Sequence, residues 1–133
     1  MIPRGEFEQI VIDEVEKIPL HFRNKIKNVV FVVEYEVSID VRGENHLTKE
    51  QDLLGLYKGI PLTARGDNYG VGMTLPDVIT IYQGPTERAA SGDTKLVRTV
   101  VRETVLHEVA HYLGMGESMV AEWEAKQGQH QEF

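Results

Sequence analysis

The spacing of apolar residues in the first part of the chain predicts an amphipathic helix. These residues recur every three or four positions, so an α-helix would gather them on one face and leave charged side chains on the other. The apolar face consists of Phe7, Ile10, Val11, Val15 and Ile18. Pro19 ends the helix because proline cannot continue it. A short second helix is expected to follow over residues 21–27.

Three stretches rich in β-branched and aromatic residues predict strands. Residues 29–37 are apolar on both faces at first and then alternate with glutamates, as in a strand that leaves the core. The polar residues 38–50 after them predict a loop. Residues 54–62 predict a short strand, a turn at a Lys-Gly pair and a returning strand. Residues 75–82 predict a further strand, and Pro76 at its start favours an edge position in the sheet.

The last third of the chain predicts a long helix that becomes buried along its length. It begins near Asp93 or Thr94 and stops at Gly114, because glycine readily adopts the left-handed conformation that ends helices. Arginines in its first turns give way to an almost continuous apolar surface, so the C-terminal end is the buried end. Ser118 predicts the cap of a last helix, and residues 126–133 are expected to form a frayed polar tail.

A short polar motif interrupts the apolar surface of this long helix. His107 and His111 are four residues apart, so they lie one helical turn apart on one face and can reach the same metal ion. Glu108 lies about 100° further round the helix, beside the ion rather than bound to it. This geometry holds a Zn²⁺ ion and places a carboxylate next to its bound water. The alternative is two core histidines that donate to backbone carbonyls and an exposed Glu108.

A catalytic zinc site usually has three protein ligands, and two glutamates compete for the third position. Glu117 lies three residues after Gly114, at the ligand position of the pattern H-E-x-x-H-x-x-G-x-x-H/D. Glu122 lies on the following helix, as the ligand does in glutamate-liganded zinc peptidases. The spacing favours Glu117. Either residue is otherwise explained as a solvated acid near the start of a helix.

The length and composition of the chain limit the kind of protein and the kind of metal site that we expect. A chain of 133 residues favours one domain over residues 1–133. The net charge is −7 and the basic residues are scattered, which argues against nucleic acid or a membrane as partner. With no cysteine, a zinc ion would have nitrogen and oxygen ligands, which are typical of catalytic sites. The longest apolar run, residues 29–33, is too short to span a bilayer, so we expect a cytoplasmic protein.

Three stretches together resemble the small prokaryotic zincin-like metallopeptidase domain, formerly a domain of unknown function. They are residues 54–62, 75–85 and 104–111, and with the N-terminal helix they cover most of residues 6–124. The resemblance implies a compact zincin-like α+β fold. In that fold a small mixed β-sheet packs against the H-E-x-x-H helix, with flanking N- and C-terminal helices.

The resemblance also implies roles for individual residues. His107 and His111 match the family's metal ligands, and Glu108 matches its catalytic carboxylate. Family members typically have aspartate where this chain has Glu117, and their conserved ending differs here but retains Glu122. Both glutamates therefore remain possible third ligands.

The predicted activity is hydrolysis of peptide bonds with a single zinc ion. Glu108 takes a proton from the zinc-activated water and delivers it to the leaving amine. A peptide or protein substrate would pair with an exposed strand edge, expected at residues 78–82. Tyr57, Tyr69 or Tyr82 can donate to the oxyanion, although each is also explained as a packing residue. The alternatives are a non-catalytic, metal-containing binding or regulatory domain, which the small size favours, and a hydrolase of non-peptide amides.

Overall fold

The computed structural model describes residues 2–59 and 76–115, together with the single positions 118, 122 and 125. The helices are α1 (Arg4–Glu16), α2 (Leu20–Arg23), α3 (Ile39–Glu44), α4 (Gln83–Ala89) and α5 (Thr94–Tyr112). The strands are β1 (Val29–Glu34), β2 (Gly55–Lys58) and β3 (Asp77–Tyr82). Helices and a small mixed sheet form an α+β fold, which confirms the predicted fold class.

Helix α1 follows the predicted apolar spacing. Phe7, Ile10 and Val11 are buried, and this face of α1 packs against α5. The helix ends at Glu16, before Pro19, because a proline disfavours helical backbone in the residue that precedes it. Helix α2 is shorter than predicted and starts directly after Pro19, at Leu20. The N-terminal helix is therefore held by the long helix that carries the polar motif.

The sheet places β3 in its centre, which corrects the prediction of an edge strand at residues 78–82. The strand order is β1-β3-β2, with β1 parallel and β2 antiparallel to β3. Pro76 stands just before the ladder, whose first bond runs from the Asp77 N–H to the Asn28 carbonyl at 3.0 Å. The missing N–H of Pro76 therefore leaves every hydrogen bond of the ladder in place. The peptide-binding edge that we predicted along β3 is wrong, since both sides of β3 are paired.

The segment between β1 and β2 contains a helix where the sequence predicted a loop. Ser38 caps α3 by accepting a hydrogen bond from the Val41 N–H at 3.2 Å. No residue of α3 is buried, so the helix has no apolar periodicity from which it could be recognised. The strand predicted to return after β2, residues 60–62, lies outside the described residues.

The hydrophobic core lies between the sheet and helices α1 and α5. Alternate residues of β3 point into it, because successive side chains of a strand face opposite sides of the sheet. The fully buried core residues are Phe7, Ile79, Ile81, Ala90, Val97, Val101 and Val109. The sheet thus packs directly on the helix that carries the polar motif.

A buried carboxylate joins α1 to α5. Glu14 is 1% exposed and accepts hydrogen bonds from Lys17 and Arg102, each at 2.8 Å, while Arg98 lies 3.5 Å away. Burial alone would raise the pKa of Glu14, but the hydrogen bonds from Lys17 and Arg102 outweigh it and lower that pKa. This ion-pair cluster sets the position of α5 relative to α1.

Helix α5 begins and ends where the sequence predicted. The Asp93 side chain caps it by accepting from the Lys95 N–H at 2.9 Å. At the other end Gly114 has a φ of +91°, in the left-handed region that favours glycine. Charged residues recur along α5, and no helix in the described part of the chain is long and apolar enough to cross a bilayer.

Candidate metal centre

The two histidines of the motif meet on one face of α5. Their ring centroids are 4.8 Å apart, and the Nε2 atoms of His107 and His111 are 3.2 Å apart. Two nitrogens bound to the same tetrahedral zinc ion at the usual bond length lie about 3.3 to 3.4 Å apart. The separation of the two Nε2 atoms is therefore close to the one that a shared zinc ion requires.

A backbone carbonyl fixes the orientation of one imidazole. The left-handed turn at Gly114 folds the chain back, and the Met115 N–H bonds the Ala110 carbonyl at 3.0 Å. The Met115 carbonyl oxygen then lies 3.2 Å from His111 Nδ1. With the proton on Nδ1 donated to this oxygen, Nε2 is the nitrogen of His111 that could bind a metal.

The sequence offered an indirect signal for this contact. The predicted helix stop at Gly114 implies that the following carbonyls return towards the last turn of α5. The H-E-x-x-H motif consists of side chains only, so it gives no sign of the Met115 carbonyl. Partners of this kind, which orient a metal ligand through its second nitrogen, are a regular part of histidine metal sites.

Glu108 is buried where β2 crosses α5. It is 8% exposed, which contradicts the alternative of an exposed acid, and it lies beside Gly55. A Cβ atom at Gly55 would be 3.2 Å from Glu108 Cγ and 2.6 Å from Thr104 Cγ2. The strand can therefore approach the helix this closely only with glycine at position 55. The sequence signal was a glycine inside a predicted strand, which often marks a close approach of this kind.

Two of the three tyrosines that were predicted as possible oxyanion donors are described by the structure, and their surroundings differ. The Tyr57 hydroxyl donates to Asp77 Oδ2 at 2.6 Å, and the Tyr57 ring packs edge-on against Tyr112. Burial, together with the negative charges of Glu34 and Glu108, raises the pKa of Tyr82. Tyr82 thus keeps its proton and lies within electrostatic reach of Glu108. Tyr69 lies outside the described residues.

The third metal ligand remains a prediction. Glu117 lies outside the described residues, and Glu122 is helical and exposed. Within the ranges that the structure describes, no set of three or more His, Asp or Glu side chains is close enough to hold a metal ion. Of the predicted ligands, only His107 and His111 are brought together by the described residues.

A cavity of about 380 Å³, here called the β2–α5 cavity, opens beside the motif. Its walls come from the segment that leads into β2 and from one side of α5. The lining residues are Asp52, Leu53, Leu54, Gly55, Glu103, Thr104, His107 and Glu108. A molecule in this cavity would contact one of the two histidines and the buried glutamate.

The chain matches one known protein family over most of its length. The family model described as zincin-like metallopeptidase matches residues 26–127. No curated protein is significantly similar to the chain. The matched region extends from β1 to beyond α5 and includes the sheet, the histidine pair and Glu108. The chain therefore belongs to the family of zincin-like metallopeptidases.

Proposed function

We propose that this protein is a zinc-dependent peptidase in which His107 and His111 hold one zinc ion and Glu108 is the general base. The observation that carries the proposal is the 3.2 Å separation of the two Nε2 atoms beside a buried carboxylate. Family membership supports metallopeptidase activity in general. The roles of the individual residues rest on the geometry.

Each residue contributes a separate function. His111, oriented by the Met115 carbonyl, and His107 present neutral nitrogens to the metal. Zinc, when bound, would supply a Lewis acid that lowers the pKa of a water molecule to about 7 and polarises a carbonyl. Glu108 takes the proton from the attacking water and returns it to the leaving amine.

The third ligand belongs to the same proposal. We favour Glu117, because it follows the left-handed turn at Gly114 by three residues, with Glu122 as the alternative. A carboxylate from either position would complete a site of two nitrogens and one oxygen, which leaves the fourth position for water or substrate.

The proposed substrate is a peptide or protein that enters through the β2–α5 cavity. This route replaces the edge of β3, and it leads directly to Glu108. Nucleic acid and membranes are not proposed as partners, because the charge of −7 disfavours both.

The test combines metal analysis with peptide cleavage. Wild type should hold about one zinc per chain and cleave a peptide library, while Glu108→Gln should retain zinc and lose about 100-fold or more of the activity. His111→Ala should lose both zinc and activity. Glu16→Gln, an exposed acid on α1, is the control and should match wild type.

The outcomes separate the alternative functions. Zinc without cleavage of any peptide supports the non-catalytic binding domain, and cleavage of other amides alone supports an amidase. If no zinc or other metal binds stoichiometrically under any loading condition, the metallopeptidase and the metal-containing binding domain are both wrong.

A further inference from the structure

The β2–α5 cavity has the size, position and charge of a side-chain pocket. We propose that it binds a long basic side chain, lysine or arginine, of the peptide substrate next to the bond that is cleaved. The inference rests on the proposed peptidase function and adds the class of substrate to it. Four properties of the cavity support it, namely its position, its preformed wall, its apolar surface and its charge.

The position of the cavity ties it to the reacting bond. His107 and Glu108 both line the cavity. In the proposed peptidase these two residues act at the bond that is cleaved, so a substrate side chain inside the cavity would belong to a residue next to that bond. Gly55 contributes to the same wall without a side chain, and a Cβ atom there would contact Glu108 and Thr104. The missing side chain therefore lets β2 lie directly against Thr104 and Glu108 of α5 at this wall of the cavity.

The wall opposite α5 is fixed before any ligand binds. The Leu54 carbonyl accepts from the Tyr82 N–H at 2.9 Å, which attaches this segment to the central strand. The Arg42 guanidinium donates to the carbonyls of Thr48 and Gln51 at 3.2 and 2.8 Å, which orders the chain just before it. Because these bonds need no ligand, binding does not bear the cost of ordering the wall.

The cavity can accept an aliphatic stem. Leu53 and Leu54 are partly buried, and together with the Thr104 methyl group they give one side of the cavity an apolar surface. The volume of about 380 Å³ falls within the range of small ligand sites. Lysine and arginine bury their methylene stems on such surfaces while their charged groups remain at the rim.

The charge at the rim favours a cation. Asp52 is bound by Arg42 and Arg88 at 3.3 and 3.2 Å, and Arg88 also pairs with Glu36, so these two acids and two arginines balance. Glu103 is exposed and makes no ion pair in the part of the chain that the structure describes. One turn before His107, its carboxylate supplies a negative charge at the cavity rim that no cation of the described residues pairs with.

The experiment measures binding and cleavage of matched peptides that differ at one position. The varied residue is lysine, norleucine or glutamate. The comparison is repeated with this residue at each site on both sides of the cleaved bond. Binding is measured on the full chain with Glu108→Gln, and cleavage on the chain with Glu108 intact. At one site lysine should be preferred over glutamate by about threefold to tenfold in both measurements, with norleucine between them.

Variants of Glu103 test the origin of this preference. Glu103→Gln should abolish the difference between lysine and norleucine, and Glu103→Lys should invert the preference to favour glutamate. Glu16→Lys makes the same change in net charge on a helix that does not line the cavity, so its ratio should equal that of wild type. Thermal unfolding of each variant verifies that it is folded.

The result that overturns the inference is equal binding of all three side chains at every site. An unchanged ratio in Glu103→Lys, or an equal change in Glu16→Lys, also overturns it. Peptide cleavage without a lysine preference would leave the peptidase proposal intact and remove only the pocket. A lysine preference in binding without any cleavage would remove the peptidase and keep the pocket.

Discussion

Two buried glutamates lie at helix α5, one from α1 and one from α5 itself, and they have opposite surroundings. Glu14 of α1 is enclosed by cations from α1 and α5, and its hydrogen bonds connect two helices. Glu108 of α5 lies against a glycine and lines a cavity that a ligand can enter. Burial is similar in the two cases, at 1% and 8% exposure. Access to a cavity, rather than burial, therefore separates the proposed catalytic acid from the structural one.

The largest expected effect is a loss of stability when Glu14 is changed. Glu14→Gln leaves the Arg102 guanidinium without its carboxylate at the α1–α5 contact, so the free energy of unfolding in urea should fall by about 3 kcal/mol. The neighbouring Asp13→Asn is the matched control. Asp13 is partly exposed and lies 3.4 Å from Arg98, so its change should lower the free energy of unfolding much less than the change of Glu14 does. Equal stability of Glu14→Gln and wild type would contradict the structural role.

The next effect concerns the close contact at Gly55. Gly55→Ala should lower peptide cleavage by about tenfold and retain the zinc, because the added methyl group displaces Thr104 or Glu108 but neither histidine. Adding Thr104→Ser removes the methyl carbon nearest to the new Cβ and should recover most of the activity. Gly43→Ala on α3, where a Cβ meets nothing within 4 Å, should match wild type. A failure of the double variant to recover activity would show that the contact with Thr104 is not the cause.

A smaller effect is expected for the stability of Glu108→Gln. A neutral amide is less costly to bury than a carboxylate, so the free energy of unfolding should stay within about 1 kcal/mol of wild type or increase. The measurement is the same urea titration as for Glu14→Gln. A loss as large as that of Glu14→Gln would mean that Glu108 also has a structural role, and the contrast between the two acids would disappear.

The smallest effect is the part of the pH dependence of stability that Glu14 contributes. Its pKa in the folded protein is below the ordinary value of 4.5, so the unfolded chain takes up its proton first as the pH falls. The stabilisation by Glu14 is therefore complete above pH 4.5 and is lost as the pH drops through the folded pKa. Acid unfolding of Glu14→Gln should have a shallower slope in this range than that of wild type. Identical slopes would contradict the lowered pKa.

The sequence correctly predicted the structural features that depend on contacts between residues close together in the chain. Asp93 and Gly114 mark the ends of α5 through hydrogen bonds and backbone angles within a few residues, and both were predicted. The position of β3 in the sheet depends on partners from distant parts of the chain, so Pro76 alone gave the wrong answer. Helix α3 was missed because it has no buried face.

The same distinction applies to the site. His107 and His111 were predicted because helical geometry alone brings residues four apart together. Gly55 lies on a strand some fifty residues before the histidines, and Met115 contacts His111 through its backbone carbonyl. Neither contact could therefore be recognised from a pattern of side chains in the sequence. The roles of Glu117 and Glu122 stay predictions, and the structure describes only Glu122 of the two.

The left-handed residue at position 114 links helix termination to the chemistry of an imidazole. The oxygen that holds the Nδ1 proton of His111 belongs to the residue directly after this glycine. Any change that unwinds the last turn of α5 therefore removes the hydrogen bond that keeps the proton of His111 on Nδ1, although the change touches neither imidazole ring. If His111 binds zinc as proposed, fraying of this helix end should therefore also weaken the binding of the metal.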